Sequence, residues 1–232
     1  MKFCWLHQQG NRDCLLFFAG WGMCPEPFLD IAPGSVDVLM LYDHRSMDLQ
    51  EISSFLKDLQ GKGDYGRLHL LAWSMGVWAA ALLFGNKIPS PPELASAIAI
   101  GGTCSPIDDR LGLPAHNFAD MAERLSPARM RAFHRSMFAD QEEAERFTTS
   151  FSRGERSFQG LQHELLTLAT AYKAQPEAPN IYTSRIVTGR DQIFPARNQV
   201  RAWGRNKCRT LSLPHFPFYQ WPSWSAMLQE LT

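Results

Sequence analysis

Lysine is scarce in this chain, with 6 Lys against 17 Arg among 232 residues. An excess of either charge is also missing. Lys+Arg and Asp+Glu stand at 23 each, so there is no global field of the kind that draws a chain to nucleic acid or an anionic membrane. The five cysteines, Cys4, Cys14, Cys24, Cys104 and Cys208, are odd in number, scattered and without a CxxC pair. This argues against a zinc site or a disulfide framework and for a reducing compartment. No apolar run approaches a membrane span, and the N-terminus has one Lys followed by mixed polar residues, unlike a signal peptide. These absences together lead us to expect a cytoplasmic protein that binds neither nucleic acid nor membrane.

What is present is ordinary for a globular protein: hydrophobic residues are 45% and charged residues 20%. The length suffices for one domain with a sizeable core and an insertion. Lys2 to Leu6 and Cys14 to Phe18 read as strands separated by a hairpin-like polar turn, Gln8 to Asn11. Val36 to Tyr42, Arg67 to Ala72 and Ala95 to Ile100 are short apolar runs, hence buried strands. Leu49 to Leu59 has apolar residues at 49, 52, 55, 56 and 59, the spacing of one helix face. Met75 to Phe84 is apolar nearly all round and reads as a buried helix. Strands apolar on both faces and joined by helices imply an α/β fold with a mostly parallel sheet covered on both sides.

From Ser105 to Ala174 the strand pattern stops. Phe118 to Leu125, Pro127 to Phe138, Gln141 to Phe151 and Leu161 to Tyr172 read as helices. Strands resume at Ile181 to Thr188 and Cys208 to Leu213, followed respectively by helices near Arg197 to Trp203 and Pro222 to Leu231. The expected division is a core of residues 1–104 and 176–232 with a helical lid of residues 105–175 inserted in it.

Ser74 stands in Leu70-Leu71-Ala72-Trp73-Ser74-Met75-Gly76-Val77-Trp78, an apolar strand running into a small-residue helix. This is the form of a nucleophile elbow, in which small residues two before and two after the Ser let the helix fold closely over the strand. The bland alternative is a helix N-cap. In the α/β-hydrolase arrangement the acid follows a late strand and the histidine follows the last one. After Asp140 the only aspartate is Asp191, and after His163 the only histidine is His215. Both occupy the required places, so the ordered set Ser74, Asp191, His215 makes a candidate triad: nucleophile, orienting acid and general base. Glu177 is the fallback acid but precedes its strand. Phe18-Ala19-Gly20-Trp21-Gly22 follows the second strand, and by position the Trp21 N–H joins that of Met75 as an oxyanion donor. This chemistry requires no metal and no cofactor.

At this point a family resemblance is specific. Phe18-Ala19-Gly20-Trp21-Gly22, Ala72-Trp73-Ser74-Met75-Gly76-Val77-Trp78, Arg190-Asp191-Gln192-Ile193-Phe194 and Trp224-Ser225-Ala226 resemble the BioG-type pimeloyl-acyl-carrier-protein methyl ester esterases of biotin synthesis, within the α/β-hydrolase superfamily. The resemblance covers the core from end to end and the lid less closely; Ala72 is itself typical of that group. It implies hydrolysis of the ω-methyl ester while the acyl chain stays thioesterified to an acyl carrier protein, the expected partner. An acyl thioesterase or a short-acyl carboxylesterase with the same triad remains an alternative, as does a non-catalytic carrier-binding module.

Between Ser105 and Tyr172 there are eight Arg and no Lys. Arg124, Arg129, Arg131 and Arg135 read as a cluster opposed only by Glu123, with Arg131 and Arg135 four apart on one helix face. Arginine suits forked contacts to carboxylate and phosphate, as an acidic carrier would require. In the more distant BioH-type esterases a similar lid helix presents arginines to the carrier, and Arg131 and Arg135 fall at matching positions after Leu125-Ser126. The alternative is a solvated helix paired with Asp140, Glu142, Glu143 and Glu145.

Overall fold

The computed structural model describes residues 1–46, 50–61, 65–87, 93–154 and 156–232. Its strands are β1 (Lys2–His7), β2 (Asp13–Phe18), β3 (Val36–Tyr42), β4 (Arg67–Trp73), β5 (Ser96–Ile100), β6 (Ser184–Thr188) and β7 (Arg209–Leu211). They form one sheet in the order β1-β3-β2-β4-β5-β6-β7. Only β1 is antiparallel, against β3, and every other pairing is parallel. The helices are α1 (Glu26–Leu29), α2 (Gln50–Gly61), α3 (Met75–Leu82), α4 (Ala115–Glu123), α5 (Pro127–Ser136), α6 (Gln141–Phe151), α7 (Phe158–Ala174), α8 (Ala196–Trp203) and α9 (Trp224–Leu231). The α/β-hydrolase architecture follows, with α4 to α7 forming the helical lid region between β5 and β6.

The central strands are apolar on both faces because both faces are covered. Leu16, Phe18, Leu70 and Ala72 belong to one core layer, whereas Leu15, Phe17, Leu71 and Trp73 belong to the other. The alternation is the period-2 pleat reading out onto two layers. In α2, Ile52, Leu56 and Leu59 are buried as their spacing predicts. Leu49, the first residue of that pattern, lies outside the described residues. All eight residues of α3 are buried, in keeping with a helix apolar all round.

The expected hairpin between the first two strands does not form, since β3 lies between β1 and β2. The turn is tied to β3 instead of closing on itself. The Asp37 carboxylate, near the start of β3, accepts the backbone N–H groups of Gln9, Gly10 and Asn11 at 2.9, 3.1 and 3.2 Å. It also accepts the Asn11 amide at 2.7 Å and the Tyr65 hydroxyl at 3.0 Å. Burial dictates the same order. Five of the six β2 residues are buried, whereas β1 is largely half-exposed, so β2 takes an interior place and β1 the edge.

Two later strands, β6 and β7, are shorter than the sequence predicts. Tyr182 turns inward, its hydroxyl donating to the Val77 carbonyl at 2.5 Å, and β6 begins at Ser184. The Leu213 N–H turns back onto the Leu211 carbonyl at 2.8 Å, which ends β7 early and leads the chain toward His215.

Candidate active site

Four loops converge at the carboxyl ends of the strands, where open α/β sheets bind their ligands. Phe18 pairs in register with Ala72, so the chain leaves β2 and β4 side by side. Thr188 pairs with Leu211, so the segments leaving β6 and β7 are neighbours too. Hydrogen bonds from Gly189 N–H to Leu211 O (2.7 Å) and Arg190 N–H to Leu213 O (2.9 Å) hold those segments together.

Ser74 has φ 58° and ψ −128°, a conformation that costs a non-glycine residue about 1–3 kcal/mol and persists only where the surroundings impose it. Here they do. The Ser74 N–H donates to Ile100 O at 3.2 Å and its carbonyl accepts from Val77 N–H at 3.1 Å. A Cβ at Gly76 would lie 2.4 Å from Phe18 O, and one at Gly20 would lie 2.9 Å from Ser74 Cβ. Both positions therefore need glycine for close approach. No side-chain cap bond is made by Ser74, so the N-cap alternative has no support.

His215 Nε2 lies 3.1 Å from Ser74 Oγ, and His215 Nδ1 lies 2.8 Å from Asp191 Oδ2. The Asp191 and His215 side chains are 0% and 1% exposed. Asp191 Oδ1 accepts the backbone N–H groups of Ile193 and Phe194, each at 2.8 Å. Asp191 Oδ2 also accepts the Thr188 hydroxyl at 2.6 Å and the Gln199 amide at 3.2 Å. A buried carboxylate held by that many donors is compensated for its lost hydration. With Nδ1 donating to Asp191, Nε2 is the acceptor facing the Ser74 hydroxyl, the tautomer a general base requires.

Two aromatic residues hold the imidazole from the sides. The Trp73 indole N–H donates to the His215 carbonyl at 2.7 Å, and the Phe194 ring lies parallel to the imidazole with centroids 5.9 Å apart. Trp73, Thr188 and Gln199 went unsingled in the sequence. Only Trp73 had a local signal, its place beside the elbow serine.

The Met75 N–H is the first of α3 and so has no carbonyl within its own helix to bond. The loop carrying Trp21 is fixed from outside. His44 Nε2 bonds the Ala19 carbonyl at 3.0 Å, and the Trp21 indole donates to Leu161 O at 3.0 Å. Because a carbonyl only accepts, His44 carries its proton on Nε2. Burial holds its pKa below the ordinary imidazole value, so the ring is neutral.

A cavity of about 440 Å³ opens over Ser74 and His215. Trp21, Met75, Ile193 and Phe194 line it from the core, Phe118 and Met121 from α4, Phe133 from α5 and Leu165 from α7. Its few polar groups are Asn117, Arg129, Ser136 and Gln192 besides Ser74 and His215. Apolar walls with sparse polar groups suit an aliphatic acyl chain.

The four lid arginines do not form one cluster. Asp120, not Glu123, opposes two of them: Arg129 pairs with Asp120 and lines the cavity, and Arg124 lies 3.4 Å from Asp120. The i,i+4 spacing brings Asp120 to Arg124, and the tight turn at Ser126, whose hydroxyl caps α5 at Arg129 N–H (3.2 Å), folds Arg129 back onto α4. Arg131 and Arg135 are exposed. Among the described residues no carboxylate lies within ion-pair distance of either. Asp140 caps α6, Glu143 accepts from Gln220 and Glu145 accepts from Gln141.

The family described as "Pimeloyl-ACP methyl esterase BioG" matches residues 1–227. The chain belongs to that family. A BioG from Haemophilus influenzae superposes with a TM-score of 0.80 at 29% identity, over 97% of this chain and 99% of that one. A Haemophilus influenzae protein is 30% identical over 230 residues, 98% of this chain and 99% of that protein. A malonyl-[acyl-carrier protein] O-methyltransferase of Bacteroides fragilis is 34% identical over 194 residues, 83% of this chain. The chain spans only 37% of that relative's length.

Proposed function

We propose that this chain is a serine esterase that removes the methyl group from the ester of pimeloyl-acyl-carrier protein. The observation that carries the reading is the unbroken chain Asp191–His215–Ser74 at the floor of an apolar cavity, in a member of the BioG family. Ser74 Oγ attacks the ester carbonyl as His215 Nε2 takes its proton, and the Trp21 and Met75 N–H groups hold the oxyanion. The tetrahedral intermediate collapses as His215 returns the proton to the methoxy oxygen, and methanol leaves. Water activated by His215 then cleaves the acyl-Ser74 ester and frees the ω-carboxylate, regenerating the serine. Asp191 keeps the imidazole in its working tautomer and stabilises the imidazolium.

In this reading residues 1–104 and 176–232 supply the chemistry, and residues 105–175 form the cover that selects the acyl group. The face of Arg131 and Arg135, unpaired among the described residues, docks an acidic carrier, while Arg129, already paired, takes part in the cavity wall. The Bacteroides relative is named for methyl transfer to a malonyl-carrier protein, and the chain spans only part of it; the candidate triad supports hydrolysis. The five free thiols suit the cytoplasm.

Mass spectrometry of pimeloyl-carrier methyl ester before and after incubation tests the proposal. The expected products are methanol and carrier-bound pimelate, with no turnover by Ser74→Ala. Release of the carrier thiol instead would make the protein a thioesterase. No reaction, together with no labelling of Ser74 by a fluorophosphonate, would leave a carrier-binding module.

A further inference from the structure

Glu164 lies on α7 of the lid region and is fully buried, yet it touches neither the cavity nor the candidate triad. Its carboxylate reaches back to the core. Oε2 accepts the Gly22 N–H at 3.1 Å and Oε1 the His44 N–H at 2.8 Å, and Arg156, only 6% exposed, pairs with it. Burying a carboxylate is costly unless it is both paired and hydrogen-bonded. The charge is therefore used for the bonds it makes.

Those bonds fall on the loop that carries a proposed oxyanion donor. The Gly22 N–H belongs to the peptide that follows Trp21, and the Trp21 N–H to the peptide before it, so the two share one Cα. With the first peptide anchored by Glu164, the indole by Leu161 O and the Ala19 carbonyl by His44, little freedom remains for the Trp21 N–H. His44 is itself held at its backbone N–H by the same carboxylate. The surrounding charges are paired: Arg156 lies 3.1 Å from Asp43, and Arg45 grips Asp43 with bonds of 2.6 and 2.7 Å. Arg156, Arg45 and Lys2, the last 3.7 Å from Asp43, thus oppose the anions Glu164 and Asp43, so neither carboxylate stands unpaired behind the loop to oppose a developing oxyanion.

We propose that Glu164 is a positioning residue for the oxyanion loop, so that lid helix α7 forms part of the catalytic geometry as well as part of the cover. The proposal rests on Trp21 and Met75 being the oxyanion donors. It follows that displacing α7 both opens the cavity and disarms the loop, tying turnover to a seated lid.

The test compares Glu164→Gln and Glu164→Ala in the full chain, with p-nitrophenyl butyrate as substrate and n-butylboronic acid as a tetrahedral-adduct inhibitor. The Gln amide offers one acceptor where the carboxylate offers two, and Ala offers none. Complete loss of one oxyanion donor costs roughly 10²–10³-fold in kcat, so a misdirected donor should cost about 10-fold in Glu164→Gln and more in Glu164→Ala. KM should stay within about twofold, and the boronic acid Ki should weaken by the same factor as kcat falls. If Glu164→Ala does not fold, the near-isosteric Gln variant decides alone. A merely structural role would lower Tm but leave kcat and the boronic acid Ki unchanged in the folded protein, and that result overturns the proposal. Ser74→Ala run beside them separates the two layers of inference: turnover surviving that change sinks the esterase reading itself, whatever Glu164 does.

Discussion

Trp73 donates its indole N–H to the main-chain carbonyl of His215 across 2.7 Å, so the residue just before the candidate nucleophile holds the candidate base in place. The two rings also meet at 5.2 Å between centroids. Trp73 is 1% exposed, and its ring packs edge-on against Phe216 and Phe218. One side chain thus links the end of β4 to the loop after β7.

Trp73→Phe keeps most of the packing and removes the donor. The His215 carbonyl then loses its partner in a buried site, at a cost of about 1–3 kcal/mol in stability. Turnover should fall roughly tenfold as the imidazole gains freedom, with KM little changed. Steady-state kinetics and a thermal melt check this. A variant with parental kcat would show that the imidazole is held by Asp191 and Phe194 alone.

Asp191→Asn should cut kcat by roughly 10³–10⁴-fold. An Asn amide can satisfy Ile193 and Phe194 N–H only by pointing its oxygen at them. Its NH₂ then faces the Thr188 hydroxyl, the Gln199 amide and His215 Nδ1. A donor opposite Nδ1 favours the tautomer with its proton on Nε2, which cannot accept the Ser74 proton. Circular dichroism should show the fold retained. Near-normal turnover in the folded variant would remove Asp191 from the mechanism.

The candidate triad was legible in sequence because each member follows a strand and each stood alone in its stretch of chain. Asp191 and His215 needed no choice among rivals. The central strands were legible for a related reason: burial on both faces leaves continuous apolar runs. What escaped notice depends on contacts between distant elements. Glu164 lies in Leu161-Gln162-His163-Glu164-Leu165-Leu166, where nothing marks it off from a solvated helix residue. Its partners Gly22 and His44 are 142 and 120 positions away. The pairing of Arg129 with Asp120 needs the α4–α5 turn to fold back, and the strand order β1-β3-β2 depends on Asp37 capturing a turn that reads locally as a hairpin.

Acidification should loosen the lid. His134 is buried on α5 against Phe147 and Phe151, with centroids 5.1 and 4.5 Å away. Burial pushes its pKa down to about 4. An unfolded histidine titrates near 6.5, roughly, so below that pH the unfolded state binds the extra proton and the folded state does not. The stabilisation is complete above the unfolded value and is lost as pH falls from about 6.5 toward 4, at up to about 1.4 kcal/mol per pH unit. Arg131, Arg135 and Glu145 line the same groove between α5 and α6. His134→Leu should flatten the dependence of Tm on pH in this window. An unchanged slope would assign the acid sensitivity to other groups.

The last prediction concerns Arg131 and Arg135, one turn apart on the exposed face of α5 and without carboxylate partners among the described residues. If this face receives an acidic carrier, Arg131→Glu together with Arg135→Glu should raise KM for the carrier-linked ester. Exposed contacts contribute about 0.5–1 kcal/mol each, so the pair should raise KM several-fold to roughly tenfold and leave kcat in place. Salt should do the same to the parent protein, because exposed charges are screened over about 8–10 Å. Reversing both charges should also blunt that salt dependence. p-Nitrophenyl butyrate makes no carrier contact and should react equally with both proteins, which separates docking from damage to the lid. Arg129 gives the contrast on the same helix. It is paired with Asp120 and lines the cavity, so Arg129→Ala should disturb the small ester as well as the carrier-linked one. Parallel loss of both activities in the Arg131 and Arg135 double variant would mean that these arginines support the lid, and docking would have to be sought on another face.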